Sequence, residues 1–166
     1  VDNMDYYRCS IENKQRIKDD LYRITLSPWR NYPECKNTAG KFYFIMIGEM
    51  GEKPFALLSY ERREFIIKKV GPFTKELCKL KVGDTVFIRG PYGKDLPDCS
   101  GKTINLVGGG TGISPTYEIA KKYSKDNKIR VKGFWCGTTL FANEILQIVE
   151  EDEPVQTETK INETVT

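Results

Sequence analysis

The stretch that most restricts this chain is Thr103-Ile104-Asn105-Leu106-Val107-Gly108-Gly109-Gly110-Thr111-Gly112-Ile113-Ser114-Pro115. Its first part is a short apolar run, the mark of a buried strand. Four glycines follow within five residues, and Ser114-Pro115 then opens a polar–apolar pattern that predicts a helix. Ser114 is a good N-cap, and Pro115 suits the first helical position, where a missing N–H costs nothing. Strand, glycine turn and helix N-terminus together present backbone N–H groups and a positive dipole end to a phosphate. Side-chain bulk would block that approach, which gives glycine a chemical reason to be there. Read alone, the stretch also fits a glycine-rich turn in an ordinary αβ unit.

The residues around and beyond this stretch alternate in the same way. A strand 103–108 leads to a helix 115–123, a strand from Ile129 to Cys136, and a helix 140–150 that places Phe141, Ile145, Ile148 and Val149 on one face. Pro154 to Ile161 is a candidate third strand. Strands alternating with helices argue for a parallel sheet. Three candidate strands make about half of a doubly wound dinucleotide domain.

The residues before Pro97 behave differently. Tyr6–Glu12 and Leu21–Leu26 read as strands around an Asp19-Asp20 turn, the second with a clear period of two. Lys41–Ile47 is nearly continuous in apolar residues and predicts a central strand. Strands at 55–60, 64–70 and 85–89 follow, the first two joined by the polar turn Glu61-Arg62-Arg63. Thr74 can cap a short helix through Leu80, with Leu77 and Leu80 on one edge. About six short strands with turn signals between them suggest a small antiparallel barrel. The change of character near Pro97 to Gly101 places a domain boundary there, with one unit at 4–97 and another at 101–166.

Composition removes several chemistries. Histidine is absent, so no Ser-His or Cys-His nucleophile and no imidazole metal or haem site can exist within these residues. The five cysteines (9, 35, 78, 99 and 136) include no C-x-x-C pair, so no self-contained metal or iron–sulfur site is expected. Reduced, buried thiols in a cytosol are the expectation. A net charge of +3 gives no argument for nucleic acid or a membrane surface. No apolar run approaches the roughly 20 residues of a spanning helix, and nothing at the N-terminus reads as a signal peptide. Gly101-Lys102-Thr103 imitates the end of a P-loop, but Leu96 stands where the motif needs its first glycine.

Two further stretches bear on chemistry. Lys53-Pro54-Phe55-Ala56-Leu57 puts a cation and an aromatic ring where a loop meets a strand. Val70-Gly71-Pro72-Phe73-Thr74 puts a glycine turn at a second helix start, another possible phosphate seat. Taken singly, Lys53 reads as a solvated lysine, Phe55 as a core residue and Thr74 as an N-cap.

In order, however, these pieces resemble the ferredoxin–NADP reductase superfamily, over about residues 20 to 150. Ala39-Gly40-Lys41-Phe42 is similar to the family's P-G-Q-F segment, and Lys53-Pro54-Phe55-Ala56 stands where its flavin motif R-P-x-S falls. Gly71 with Thr74 is similar to the second flavin motif, and Gly83-Asp84 and Gly90-Pro91-Tyr92-Gly93 to segments that close the barrel. Gly110-Thr111-Gly112-Ile113-Ser114-Pro115 is similar to the nicotinamide-nucleotide motif G-T-G-x-x-P. The style of the first flavin motif is closest to the dihydroorotate dehydrogenase electron-transfer subunits and related hydrogenase gamma subunits.

That resemblance implies a six-stranded antiparallel flavin-binding barrel at 4–97, followed by a shortened Rossmann-like parallel αβ domain at 101–166 that binds NAD(P). It implies FAD, with FMN as the other candidate, and NAD(P)H as substrate. Lys53 would meet the ribityl-phosphate side, and Pro54, Phe55, Ala56 and Leu57 the isoalloxazine. Val70, Gly71 and Thr74 would hold the pyrophosphate, and Gly109, Gly110, Thr111, Gly112 and Pro115 the nicotinamide nucleotide. No catalytic acid or base and no metal ligand is called for, because the protein's part is orientation and exclusion of water. The implied activity is a cytoplasmic oxidoreductase of pyrimidine biosynthesis, passing electrons from NAD(P)H to a partner subunit or acceptor protein.

The chain departs from the pattern in three places. Lys53 replaces the arginine and so loses bidentate phosphate recognition, and Ala56 replaces the serine. The C-terminus lacks the cysteine cluster that holds [2Fe–2S] in the dihydroorotate dehydrogenase subunit. Trp135-Cys136-Gly137 is similar to a late C-G pair of the family but reads by position as a strand end, and the absence of arginine in Gly137-Thr138-Thr139 leans toward NAD. The other readings are a free-standing flavin or ferredoxin reductase and a degenerate interaction module that binds no cofactor.

Overall fold

The computed structural model describes residues 5–134 together with 160 and 161. Six strands form one sheet: β1 (Tyr7–Lys18), β2 (Leu21–Leu26), β3 (Phe42–Met46), β4 (Glu52–Ala56), β5 (Glu64–Lys68) and β6 (Thr85–Tyr92). Their order is β4-β3-β6-β1-β2-β5, and every pairing is antiparallel. β1 joins the two halves. Its Tyr7–Ser10 part pairs with β6 and its remainder with β2, across a register shift between Ile11 and Asn13 that bends the strand. Alternate residues then point inward: Ile24 and Leu26, Tyr43 and Ile45, Phe65 and Ile67, Val86 and Ile88 make a common core. This is the expected barrel.

Two strands differ from expectation. β1 continues to Lys18 because its second half, though mostly polar, pairs residue by residue with β2. Backbone bonding, not apolar alternation, holds it. β4 lies at 52–56 rather than 55–60. Gly51, at φ +77°, turns the chain directly into the strand, and Pro54 is tolerated because β4 is an edge strand. Leu57 and Leu58 are buried without belonging to a ladder, so their hydrophobicity reports burial alone.

α1 (Pro72–Lys79) follows β5, with Gly71 as its N-cap. Thr74 is therefore not the cap but a first-turn residue whose hydroxyl reaches back, and Leu77 is buried as expected. β7 (Thr103–Gly109) and β8 (Lys128–Phe134) pair in parallel, from Thr103 opposite Lys128 to Gly109 opposite Phe134. β9 (Lys160–Ile161) adds two parallel pairs on β8, which places a third strand at the end of the expected segment. The expected helix at 140–150, Cys136 and the 137–139 segment lie outside the described residues.

α2 (Ser114–Tyr123) covers β7 and β8, and the glycine stretch enters it through a 3-10 turn, Gly110–Ile113. That turn changes the expected cap. Ser114 already has helical backbone angles (φ −50°, ψ −51°) and a buried side chain, while Gly109 is the extended residue before the turn. Ser114 is thus a helical residue that closes the 3-10 turn, its N–H donating to Thr111 O, and the N-cap position of α2 falls to Ile113.

The αβ unit is seated on the barrel. Leu21, Leu58 and Ile66 of the barrel share one apolar cluster with Leu106, Ile113, Ala120, Ile129 and Val131. The Tyr60 N–H donates to Glu118 Oε1 at 2.8 Å, Lys121 pairs with Glu61 at 2.9 Å, and the Arg62 guanidinium lies 5.0 Å from the Tyr117 ring centre. The buried Lys41 ammonium ties down the connecting segment through Gly93 O (2.6 Å) and Asp95 (2.8 Å). Among the described residues no helix is long and apolar enough to cross a membrane.

Candidate functional site

The end of β5 and the start of α1 form one wall of an open cleft of about 530 Å³, and the β4 edge forms the other. Lys53, Pro54 and Phe55 face Val70, Gly71, Pro72, Phe73 and Thr74 across it, with Met50 at the rim. Two motifs far apart in the sequence are thus brought together. The rings of Phe55 and Phe73 stack at 6.1 Å between centres, 26° from parallel. Stacked aromatic surface at a cleft is suited to a flat apolar ring.

Thr74 organises the α1 end. Its Oγ1 accepts from the N–H of Val70 (2.9 Å) and of Gly71 (3.1 Å), and the hydroxyl donates to Gly71 O (3.1 Å). First-turn N–H groups have no partner within a helix, and Phe73 and Thr74 are the residues after Pro72 that carry them in α1. Gly71 has extended backbone (φ −161°), and an added Cβ would meet nothing within 4 Å. Neither backbone nor protein packing requires glycine there. The space beside it is a cradle that a side chain would fill. Replacing Thr74 with valine leaves the Val70 and Gly71 N–H groups without that acceptor and is expected to lower stability by about 1–2 kcal/mol. Thr74→Ser should retain it. Equal urea midpoints for the valine and serine variants would refute the role.

Two of the expected flavin-side residues stand apart from the others. Ala56, half-buried at the end of β4, and Leu57, 1% exposed in the barrel core, are both absent from the walls of the cleft. Met50, Pro72 and Phe73 are additional lining residues. Phe73 was legible from its place in the helix start, but Met50 carries no local signal. Val70, 75% exposed, leaves apolar surface open at the rim.

The glycine stretch lies elsewhere. Gly109, Gly110 and Thr111 wall a second hollow of about 240 Å³ with Lys18, Asp20, Leu21 and Lys68. Gly112 and Pro115 are not among its walls. A Cβ on Gly108 would sit 3.2 Å from Gly112 O and 3.3 Å from Ile113 N, so this glycine lets the turn fold against the strand end. Gly109, Gly110 and Gly112 have open space where a Cβ would be. The stretch therefore contains one packing glycine and three that leave room.

The Cys9 and Cys78 thiols are poor nucleophiles. Burial pushes Cys9 up to about 12 and Cys78 up to about 11, against a weaker opposing pull from nearby cations. Cys35 and Cys99 are half-buried rather than buried, and all four are free.

No family model matches the chain. Among curated proteins, the probable dihydroorotate dehydrogenase B (NAD(+)) electron transfer subunit of Pyrococcus abyssi is 39% identical over 112 residues, covering 68% of this chain and 44% of that protein. Its counterpart in Pyrococcus furiosus is 36% identical over 126 residues, 76% of this chain and 48% of that protein. The chain thus spans less than half the length of these relatives. Among solved structures, a ferredoxin NADP+ reductase from Neisseria gonorrhoeae with bound FAD and NADP superposes with a TM-score of 0.77 at 17% identity, over 97% of this chain and 70% of that one. The NADH-dependent reduced ferredoxin-NADP oxidoreductase superposes with a TM-score of 0.70 at 26% identity, over 91% and 56% of the two chains.

Proposed function

We propose that this chain, a homologue of the dihydroorotate dehydrogenase electron-transfer subunits with the ferredoxin–NADP reductase fold, holds a flavin, FAD in the first instance, in the cleft between β4 and α1. The observation that carries the proposal is the open cradle beside Gly71 at the N-terminus of α1, next to the stacked Phe55–Phe73 surface. The donors suit the group: backbone N–H and a helix N-terminus for a diphosphate, aromatic and proline surface for a tricyclic ring. When bound, a flavin accepts a hydride as two electrons and can release them singly.

The chain's own residues then have limited, defined tasks. The α1 first turn fixes the diphosphate, with Thr74 holding the Val70–Gly71 entry rigid. Lys53 supplies one ammonium to the phosphate side, a point charge where arginine would supply a planar fork. Pro54, Phe55 and Ala56 exclude water from one side of the ring. The glycine turn at 109–112 seats a nicotinamide nucleotide, and the electrons pass on to a partner oxidoreductase subunit or acceptor protein in the cytoplasm. The barrel, 4–97, and the αβ unit, 101–166, act as two domains of one electron-transfer module.

The test is direct. Purified protein should show flavin absorbance and release FAD on denaturation, in about one equivalent per chain. A protein that is colourless, and stays so after incubation with FAD and with FMN, sinks the proposal. Retention of flavin in Gly71→Ala but not in Gly71→Leu would tie the binding to the cradle itself.

A further inference from the structure

We propose that Lys18 and Lys68, both from the barrel, complete the phosphate seat of the glycine turn, so that a nucleotide bound there is gripped by both domains. The inference rests on the nicotinamide-nucleotide reading of that turn. It adds two residues that no motif contains.

The hollow between the domains sets the terms. One wall is Gly109–Gly110–Thr111; the other is the tip of the β1–β2 hairpin with the last residue of β5. Its 240 Å³ is less than half the 530 Å³ of the flavin cleft, room for a phosphate or ribose phosphate. The barrel wall is lined by two lysines and one aspartate. Asp20 stands 3.9 Å from Lys68, and both side chains are about half exposed. So long and wet an ion pair is weak and exchanges readily for a phosphate oxygen.

The two walls are also fixed with respect to each other. Leu21, next to Asp20, is 2% exposed and packs in the same cluster as Leu106 and Ile113, which flank the glycines on the opposite wall. The Lys69 N–H donates to Asp20 O at 2.7 Å, tying the hairpin tip to the end of β5. The lysines therefore stand on anchored backbone, and little ordering of the chain is left for the ligand to impose. Lysine at both positions suits an anion whose orientation is set by the turn, since an ammonium is a point charge without a fixed fork.

The experiment is calorimetric titration of the flavin-loaded full chain with ADP-ribose, which carries the diphosphate and no redox chemistry. Wild-type protein should bind it, more weakly as salt rises. Lys18→Gln and Lys68→Gln should each weaken binding roughly tenfold, the scale of a hydrogen bond to a charged group, and Lys18→Arg/Lys68→Arg should largely restore it. Flavin content should be unchanged throughout. A Lys18→Gln/Lys68→Gln protein that binds as tightly as wild type overturns this inference and leaves the nucleotide reading standing. Wild-type protein that retains flavin and binds no ADP-ribose overturns the nucleotide reading of the turn, and this inference with it. Should the glutamine variants fail to fold, wild-type affinity that does not change with salt overturns the lysine grip by itself.

Discussion

Gly90→Ala is expected to destabilise the protein by roughly 3–5 kcal/mol, through backbone strain and overpacking acting together. Gly90 sits at φ +141°, where side chains other than glycine's hydrogen are rarely found. An added Cβ would lie 2.6 Å from Cδ1 of Tyr43 and 3.2 Å from the carbonyl oxygen of Phe42. Tyr43 has no room to retreat. It is fully buried, with the Trp29 ring centre 5.0 Å away and that of Phe65 at 6.3 Å. Gly51→Ala separates the two causes, because Gly51 also has positive φ (+77°) but nothing within 4 Å of a Cβ. It should carry the strain alone, about 1–3 kcal/mol. The measurement is the urea unfolding midpoint of each variant, and a Gly90→Ala midpoint no lower than that of Gly51→Ala rules out the clash.

Glu64→Ala should cost a similar amount, about 3–5 kcal/mol, because it leaves cationic groups behind without their partner. Glu64 is 4% exposed at the start of β5. Its carboxylate takes Arg23 from β2, through both Nε and Nη2, and Arg62 Nε at 2.5 Å. The Arg23 side chain is 14% exposed, so water cannot fully replace the lost carboxylate there. Arg62, at 39%, can turn outward. Glu64→Gln keeps the shape and one acceptor and should recover part of the loss. Chemical denaturation of the two variants reads the difference, and an alanine variant within about 0.5 kcal/mol of wild type excludes a structural role for the charge.

How far the sequence led depended on the range of the interaction. β2 was readable because Leu21–Leu26 alternates and one face is wet. The second half of β1 was not, since its polar residues are held by partners on another strand. Leu57-Leu58 read as strand because an apolar run cannot say whether it is buried in a ladder or beside one. The capping roles of Thr74 and Ser114 shifted because a cap is defined by backbone angles that neighbouring turns decide. Of the site, Lys53-Pro54-Phe55 and Gly71 to Thr74 were legible as local motifs, and the fold brings them to one cleft. The burial of Leu57 depends on where the chain leaves β4 for the core, which no local pattern encodes. The Arg23–Glu64 pair and the approach of Lys18 and Lys68 to the glycine turn depend on register and domain seating, which no local pattern encodes.

The placement of Leu21, Leu58 and Ile66 has a mechanical consequence. These three barrel residues stay dry only because the αβ unit lies over them. A barrel expressed without residues beyond 97–101 would present them to water as an adhesive face, and the αβ unit would lose the floor beneath Leu106 and Ile113. The barrel and the αβ unit are therefore not separable modules. They would melt as one cooperative body, and a hinge between them would have to open a hydrophobic seam to move.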